Sequence, residues 1–224
     1  MLGTLRLPLL VLTAGNPAAA AGTNIAISAA AAAGGGLRHA REGRVHWRLV
    51  LWMAPPSVAG AVLGGLGGHL MPKQALFAVI AAVLGWNGSD LLLRPFREQP
   101  RERPLAGPAV AFGFVIGLIG GAVGVILGTL RMPALLRAVG LDARCAVGTN
   151  LVVGFFLGVA GFTAHAARLE VDWPLLGGGL AGALPGSWLG ARLTGRASEE
   201  TLRRAIGAAL VVIAVTFAVE AAVA

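Results

Sequence analysis

The chain matches itself at a displacement of 126 residues, and the match runs through strongly apolar segments. Gly22-Thr23-Asn24 recurs as Gly148-Thr149-Asn150. Other identical pairs in the same register include Gly35 and Gly161, His39 and His165, Trp47 and Trp173, and Gly60 and Gly186. Because many secondary transporters consist of two related apolar halves, this repeat predicts a duplicated membrane structure.

The composition also favours a membrane protein. Of the 224 residues, 56% are hydrophobic and only 12% are charged, whereas a soluble domain carries about 25% charged residues. The mean hydropathy is +0.78. One membrane crossing needs about 20 apolar residues, so the length allows about six to eight helices. We therefore expect an all-α polytopic membrane protein with two sequence-related repeats.

The net charge of +8 does not indicate a nucleic-acid partner. The basic residues cluster in short loops between apolar runs, where they set the orientation of helices in the membrane. Cys145 is the single cysteine, which excludes an intramolecular disulfide and a zinc site made of cysteines alone. We expect no metal, no cofactor, no nucleic acid, and a lipid bilayer as the surroundings.

The apolar segments lie at 17–37, 49–70, 74–93, 105–130, 143–167, 174–191 and 205–223. We assign a first repeat to 1–93, a charged linker to 94–104 and a second repeat to 105–224. The run from Gly3 to Pro8 matches Gly128 to Pro133, one position out of the main register. The stretch 105–127 has no counterpart in the first repeat, which is therefore expected to lack its N-terminal segment.

The segment 105–130 is too long and too rich in glycine for a simple crossing. Its glycines are Gly117, Gly120, Gly121, Gly124 and Gly128. Each glycine costs a helix about 1 kcal/mol relative to alanine. The pattern predicts a broken helix or a re-entrant hairpin of half-helices.

The distribution of charge favours a hairpin that returns to its starting face. In that case fifteen of the 18 basic residues share one face, and only Arg6, Lys73 and Arg168 lie on the other. A single crossing would divide them equally and give no orientation, so the positive-inside rule favours the hairpin. The hairpin also inverts the second repeat relative to the first. We expect inverted repeats, and a parallel arrangement stays open.

The repeated Gly-Thr-Asn motif supplies the first candidate ligands. The amides of Asn24 and Asn150 need hydrogen-bond partners inside a membrane. Thr23 and Thr149 have a simpler reading as packing residues, because threonine can bond its own backbone. The recurrence in both halves nevertheless suggests that these four side chains meet near the pseudo-symmetry axis and donate hydrogen bonds to a substrate.

The glycine-rich segment supplies a second group of candidates. Gly120 and Gly121 would offer free backbone N–H groups at the start of a half-helix, where donors and dipole favour an anion. Arg131 would add a planar fork suited to a sulfonate or carboxylate. Alternatively, Arg131 ends a re-entrant loop at the cytoplasmic interface.

His39 and His165 are candidates for proton coupling. Histidine titrates near pH 6.5 and can carry protons at physiological pH. The alternative is that both are packed or interfacial residues. Neither has the close helical ligand spacing of a metal site.

The stretch from Gly117 to Val212 resembles the sulfite exporter TauE/SafE family of membrane permeases. The resemblance rests on Gly120-Gly121, Pro133-Ala-Leu-Leu136, Gly140, Ala146-x-Gly148-Thr149-Asn150, Gly161, His165, Val171-Asp172-Trp173, Gly186-Ser187-x-x-Gly190-Ala191 and Leu202-Arg203-Arg204. The first half repeats the pattern more weakly, from Gly3 to Leu84. The resemblance implies a multi-pass inner-membrane carrier of small sulfur-containing or organic anions.

We therefore expect a transporter of small anions such as sulfite, organosulfonates or related oxyanions, with its site between the two halves. Two alternatives belong to other classes. One is a non-transporting membrane assembly or accessory subunit. The other is an intramembrane enzyme, which would need a reactive pair such as Ser187 with His165. A homo-oligomer is compatible with all three.

Overall fold

The computed structural model describes Leu10 and residues 13–14, 17–67, 73–93, 106–123 and 128–223. In this part of the chain the helices are α1 Pro17–Arg41, α2 Trp47–Gly67, α3 Lys73–Leu93, α4 Ala106–Val123, α5 Gly128–Pro133, α6 Ala143–Ala167, α7 Trp173–Arg196 and α8 Glu199–Val223. A π-helical turn, Ala134–Val139, follows α5 directly. The all-α prediction is confirmed. The linker 94–104 and the motif at 3–8, which includes Arg6, lie outside the described residues.

Capping residues explain where the later helices begin. The side chain of Asp142 accepts a hydrogen bond from Cys145 N at 2.9 Å, and that of Asp172 accepts one from Leu175 N at 3.0 Å. Ser198 does the same for Thr201 N at 3.1 Å. Each side chain satisfies one of the N–H groups that the first turn of a helix leaves without a partner.

The glycine-rich segment forms two helical pieces. Helix α4 continues through Gly117 and Gly120 to Val123, and the next helix begins at Gly128. At Pro133 the helix widens into the π-helical turn, because proline has no N–H for the regular ladder. The turn ends at Gly140, whose φ of 83° lies in the left-handed region that glycine tolerates. These pieces place Arg131 between α4 and α6 in the chain.

Helices α1 and α6 cross in opposite directions at very close range. Near the start of α1, Gly22 lies against the carbonyl of Glu170, just beyond the end of α6. Near the start of α6, Gly148 lies against the carbonyl of Arg44, just beyond the end of α1. Neither glycine has room for a Cβ atom. Small residues allow such backbone approach between apolar helices.

Two other helix pairs complete the bundle around this crossing. Helices α2 and α4 run parallel, with Gly117 packed on the carbonyl of Ser57. Helices α3 and α8 run antiparallel. Gly88 lies against the carbonyl of Gly207, and farther along the pair the rings of Phe77 and Phe217 are 5.6 Å apart.

Helix α7 lies along α1 in the same direction. Gly179 packs on Ile27, and closer to the C-terminal ends of both helices Gly34 packs on Ser187. The end of α7 therefore lies beside the end of α1. Both ends carry arginines, Arg38 and Arg41 on α1 and Arg192 and Arg196 on α7.

The outer faces of the bundle are apolar. Leu51, Trp86 and Leu93 are 72%, 71% and 81% exposed. Among the described residues, Ala143–Ala167 and Glu200–Val219 are long and apolar enough to span a membrane, and Trp47–Leu63 and Ala106–Gly120 are apolar but shorter. Large apolar side chains on the outside are suited to lipid rather than to water.

Candidate anion-binding site

Arg131 is a fully buried cation in the middle of the molecule. Helix α5 holds it against α6, and its side chain is 0% exposed. Its Nη1 donates a hydrogen bond to Asn150 Oδ1 at 2.9 Å and a longer one to the main-chain oxygen of Asn150 at 3.4 Å. One end of the guanidinium is thus fixed to α6.

Asn150 connects α5 to α6 through both ends of its amide. Its Oδ1 accepts from Arg131, and its Nδ2 donates to the carbonyl of Gly128 at 3.0 Å. One turn farther along α6, Gly154 leaves room for the guanidinium, since a Cβ there would stand 3.8 Å from Nη1. Gly154 was missed by sequence reasoning as part of this site, whereas Gly128 was noted only as one of the glycines of the interrupted segment. Gly128 carries a sequence signal, because it precedes Arg131 in a motif that the first repeat shares.

The rest of the Arg131 guanidinium has no partner within the described ranges of the chain. Its Nε and Nη2 are buried and make no hydrogen bond, and no carboxylate pairs with it among the described residues. Removing an uncompensated charge from water costs several kcal/mol. A buried guanidinium with unused donors can bind an anion strongly, because charge and hydrogen bonds act together in a medium of low dielectric constant.

Thr23 and Thr149 make equivalent contacts, one in each half of the chain. Thr149 Oγ1 accepts a hydrogen bond from His46 N at 3.0 Å, and Thr23 Oγ1 accepts one from Asp172 N at 2.8 Å. His46 and Asp172 are themselves related by the displacement of 126 residues. Each hydroxyl therefore holds the turn that belongs to the other half. That these threonines also donate to a substrate stays a prediction, as does the same role for Asn24, which is buried.

We expect Thr149→Val to lower the free energy of unfolding by about 0.5–1.5 kcal/mol, because His46 N loses its acceptor. Thr149→Ser keeps the hydroxyl and serves as the matched control. Thermal unfolding of the purified variants measures the difference. Equal stability of the valine and serine variants would contradict the contact.

Gly120 and Gly121 occupy a different position from the one expected. They lie near the end of α4 instead of at the start of a half-helix. Only the first turn of a helix leaves its N–H groups without intrahelical partners. The expected position at the start of a half-helix is therefore wrong for these two glycines. Their part in substrate binding stays a prediction.

The two repeat-related histidines lie in opposite surroundings. His165 is partly exposed, and its Nδ1 lies 2.7 Å from Glu170 Oε2. His39 is 0% exposed, and neither ring nitrogen has a partner among the described residues. The position equivalent to Glu170 in the first half is Arg44. A carboxylate thus accompanies one histidine and a guanidinium the other.

Arginines gather where the ends of α1 and α7 meet the starts of α2, α6 and α8. Arg38 and Arg41 lie over the ring of Trp188, at 5.1 Å and 5.8 Å from its centroid. Arg144 donates to the carbonyl of Ala197 at 2.6 Å. These contacts with Trp188 and Ala197 were missed by sequence reasoning, because the partners are far apart in the chain.

This arginine cluster has an electrostatic effect on Arg44, which lies in the turn between α1 and α2. Burial, followed by the charges of Arg144 and Arg38, lowers the pKa of Arg44. Glu42 pairs with Arg44 and with Arg38 and partly compensates this repulsion. The end of the bundle is therefore strongly positive.

The apolar outer faces and the close glycine contacts between helices are those of an all-helical membrane protein, and the buried cation Arg131 is its candidate anion-binding residue. A family model described as "Sulfite exporter TauE/SafE" matches residues 2–217. The chain belongs to the sulfite exporter TauE/SafE family, which confirms the resemblance seen in the sequence.

Relatives of the chain carry names of the same kind. A "Probable membrane transporter protein" of Xylella fastidiosa (strain 9a5c) is 31% identical over 218 residues, which cover 93% of this chain and 82% of the relative. The "Probable membrane transporter protein YjnA" of Bacillus subtilis is 29% identical over 212 residues, which cover 88% of this chain and 83% of the relative. No solved structure matches the chain significantly. The chain is thus similar to membrane transporters, and a membrane location follows.

Proposed function

We propose that the chain is a permease that moves small anions, such as sulfite, organosulfonates or related oxyanions, across the inner membrane. The observation that carries this proposal is Arg131, a buried cation whose Nε and Nη2 have no partner in the part of the chain that the structure describes. A permanent uncompensated charge would be costly. A charge that is compensated only while the substrate is bound is suited to transport. Polar residues inside membrane proteins commonly mark substrate pathways.

Reciprocal contacts support inverted repeats. Thr23 bonds Asp172 N just as Thr149 bonds His46 N, and Gly35 packs on Leu151 as Gly161 packs on Ile25. A twofold axis between the two halves would relate these contacts, and it would be perpendicular to α1 and α6 because the two helices are antiparallel. Such an axis lies in the membrane plane, as in transporters with inverted repeats.

The helix directions support a hairpin that contains α5. The starts of α2 and α6 lie together, since His46 N bonds Thr149 at 3.0 Å. Helix α4 is parallel to α2, so α4 and α6 point the same way. The chain between them must return to the first face, and α5 with Arg131 belongs to that return. We infer that 1–93 and 105–224 are the two repeats.

The basic residues support an orientation. The face where α1 and α7 end carries Arg38, Arg41, Arg44, Arg48, Arg144, Arg192, Arg196, Arg203 and Arg204, whereas Arg168 follows α6 at the opposite face. By the positive-inside rule the arginine-rich face is cytoplasmic. It would also concentrate anions at the cytoplasmic entrance.

The proposed site consists of Arg131 and Asn150, with Thr23, Asn24, Gly120, Gly121 and Thr149 as further candidates around the twofold axis. Export of an anion from a negative interior is favourable by about 2.3 kcal/mol per charge per 100 mV. Export therefore needs no coupling ion. Uptake would need one, and His165 and His39 are the candidate proton carriers for that direction.

Flux into or out of proteoliposomes tests the proposed function. Vesicles that contain the purified protein should release sulfite or methanesulfonate faster when the interior is made negative with a potassium gradient and valinomycin. A change of 60 mV should alter the driving force for a monovalent anion by about 1.4 kcal/mol, a factor of about 10 in the equilibrium ratio. Flux that equals that of protein-free vesicles would refute the proposal and favour an accessory subunit.

A further inference from the structure

We propose that Arg131 binds its anion side-on, through the edge of the guanidinium that carries Nε and Nη2. The site therefore selects anions that have at least two oxygens on one central atom. We also propose that Asn150 is a positioning residue that orients Arg131 without contacting the substrate. This inference rests on the proposed transport of small anions and adds the binding mode and the basis of selectivity.

The occupied end of the guanidinium determines which edge is free. Nη1 carries both hydrogen bonds to Asn150, whereas Nε and Nη2 carry none to any residue that the structure describes. In any guanidinium the Nε–H bond and one Nη2–H bond lie on the same edge and point in nearly the same direction. They form a two-pronged donor that a carboxylate or sulfonate fits with two parallel hydrogen bonds.

Asn150 has no free end with which to recognise a substrate. Its Oδ1 is used by Arg131 and its Nδ2 by the carbonyl of Gly128. These bonds hold Nη1 against α6 and leave the two donors of the Nε and Nη2 edge unused by the described residues. The role that follows for Asn150 differs from the direct donation expected from the sequence.

The chemistry of the free edge distinguishes classes of anion. Sulfite, sulfonates and carboxylates present two oxygens to two donors, so both Nε–H and Nη2–H are satisfied. A chloride ion has a single centre and must share the two N–H groups with poorer geometry. Because Arg131 is 0% exposed, water cannot complete the second hydrogen bond, and an unsatisfied buried donor is costly. Selectivity for oxyanions is the result.

Binding measurements on the purified, full-length protein test this inference. Isothermal titration calorimetry with methanesulfonate, acetate and chloride gives three affinities for each variant. Wild-type protein should bind methanesulfonate and acetate at least about 10-fold more tightly than chloride. Arg131→Lys keeps the charge but lacks the two-pronged edge, so this preference should fall to about 3-fold or less.

Asn150→Asp tests the positioning role. Its carboxylate would pair with Arg131 and neutralise it, so the affinity for all three anions should fall at least about 10-fold. The carboxylate cannot donate to the carbonyl of Gly128, so the melting temperature should fall slightly, while a cooperative unfolding transition separates this result from misfolding. Arg203→Lys is the matched control, because Arg203 is also buried but lies beside Glu200. It should keep the wild-type affinities and preference.

The inference is overturned if Arg131→Lys keeps the oxyanion preference, if Asn150→Asp binds as well as wild type, or if Arg203→Lys loses the preference equally. Flux through proteoliposomes is measured in parallel. Oxyanion-selective binding without flux would refute the transport function and leave the binding mode standing. Flux whose anion selectivity is the same in wild type and in Arg131→Lys would leave the transport function standing and refute the binding mode.

Discussion

Arg131→Gln should abolish anion flux without destabilising the protein. The substitution removes the positive charge and the free edge formed by Nε and Nη2, whose two charge-assisted bonds are worth about 3 kcal/mol together. We expect flux in proteoliposomes to fall about 100-fold or more. Glutamine retains an N–H donor for Asn150 Oδ1, so the link between α5 and α6 has a substitute.

The stability of Arg131→Gln is the more revealing measurement. Arg131 lacks a carboxylate partner among the described residues, and burial of an ion costs several kcal/mol. Its removal should leave the melting temperature unchanged or raise it. Arg203→Gln is the control, because it removes a buried arginine near Glu200. That variant should keep its flux and lose some stability. A stable Arg131→Gln protein with normal flux would exclude Arg131 from the transport site.

Gly22→Ala and Gly148→Ala should each destabilise the protein strongly and to a similar extent. A Cβ at Gly22 would collide with the carbonyl of Glu170, and a Cβ at Gly148 with the carbonyl of Arg44. Backbone atoms cannot move aside as a flexible side chain can. We expect a loss of about 1–3 kcal/mol or more from each substitution.

Two glycines of α7 provide matched controls. Gly177 and Gly182 face open space among the described residues. Alanine there should be neutral or stabilising by up to about 1 kcal/mol, because alanine is the better helix former. Thermal unfolding in detergent compares the four variants. If Gly148→Ala were as stable as Gly182→Ala, the close crossing of α1 and α6 would be wrong.

The apolar segments were predictable because the length and hydropathy of a segment can be read from consecutive residues. The segment 143–167 coincides with α6, and 74–93 begins one residue after α3 starts. The end of α1 and the start of α8 were less well predicted. There the helices continue into charged loop sequences, through Arg41 and from Glu199. Hydropathy does not register a helix that leaves the apolar layer.

The candidate site was predictable only in part. The repeat pointed to Asn150, and the motif around Gly128 pointed to Arg131. Neither signal could show that Asn150 binds Nη1 of Arg131 and the carbonyl of Gly128, since these contacts depend on how α5 lies against α6. The threonines of the same motif were expected beside a substrate, and the structure shows them bonded to turns of the opposite half.

The sequence by itself determined the helical class and the family, because apolar run length and ordered motifs are properties of the linear chain. Only the tertiary structure decided which end of Arg131 is used and which edge is free. That outcome depends on the side-by-side placement of helices separated by many residues, and hydrogen-bond geometry over such distances leaves no trace in local composition.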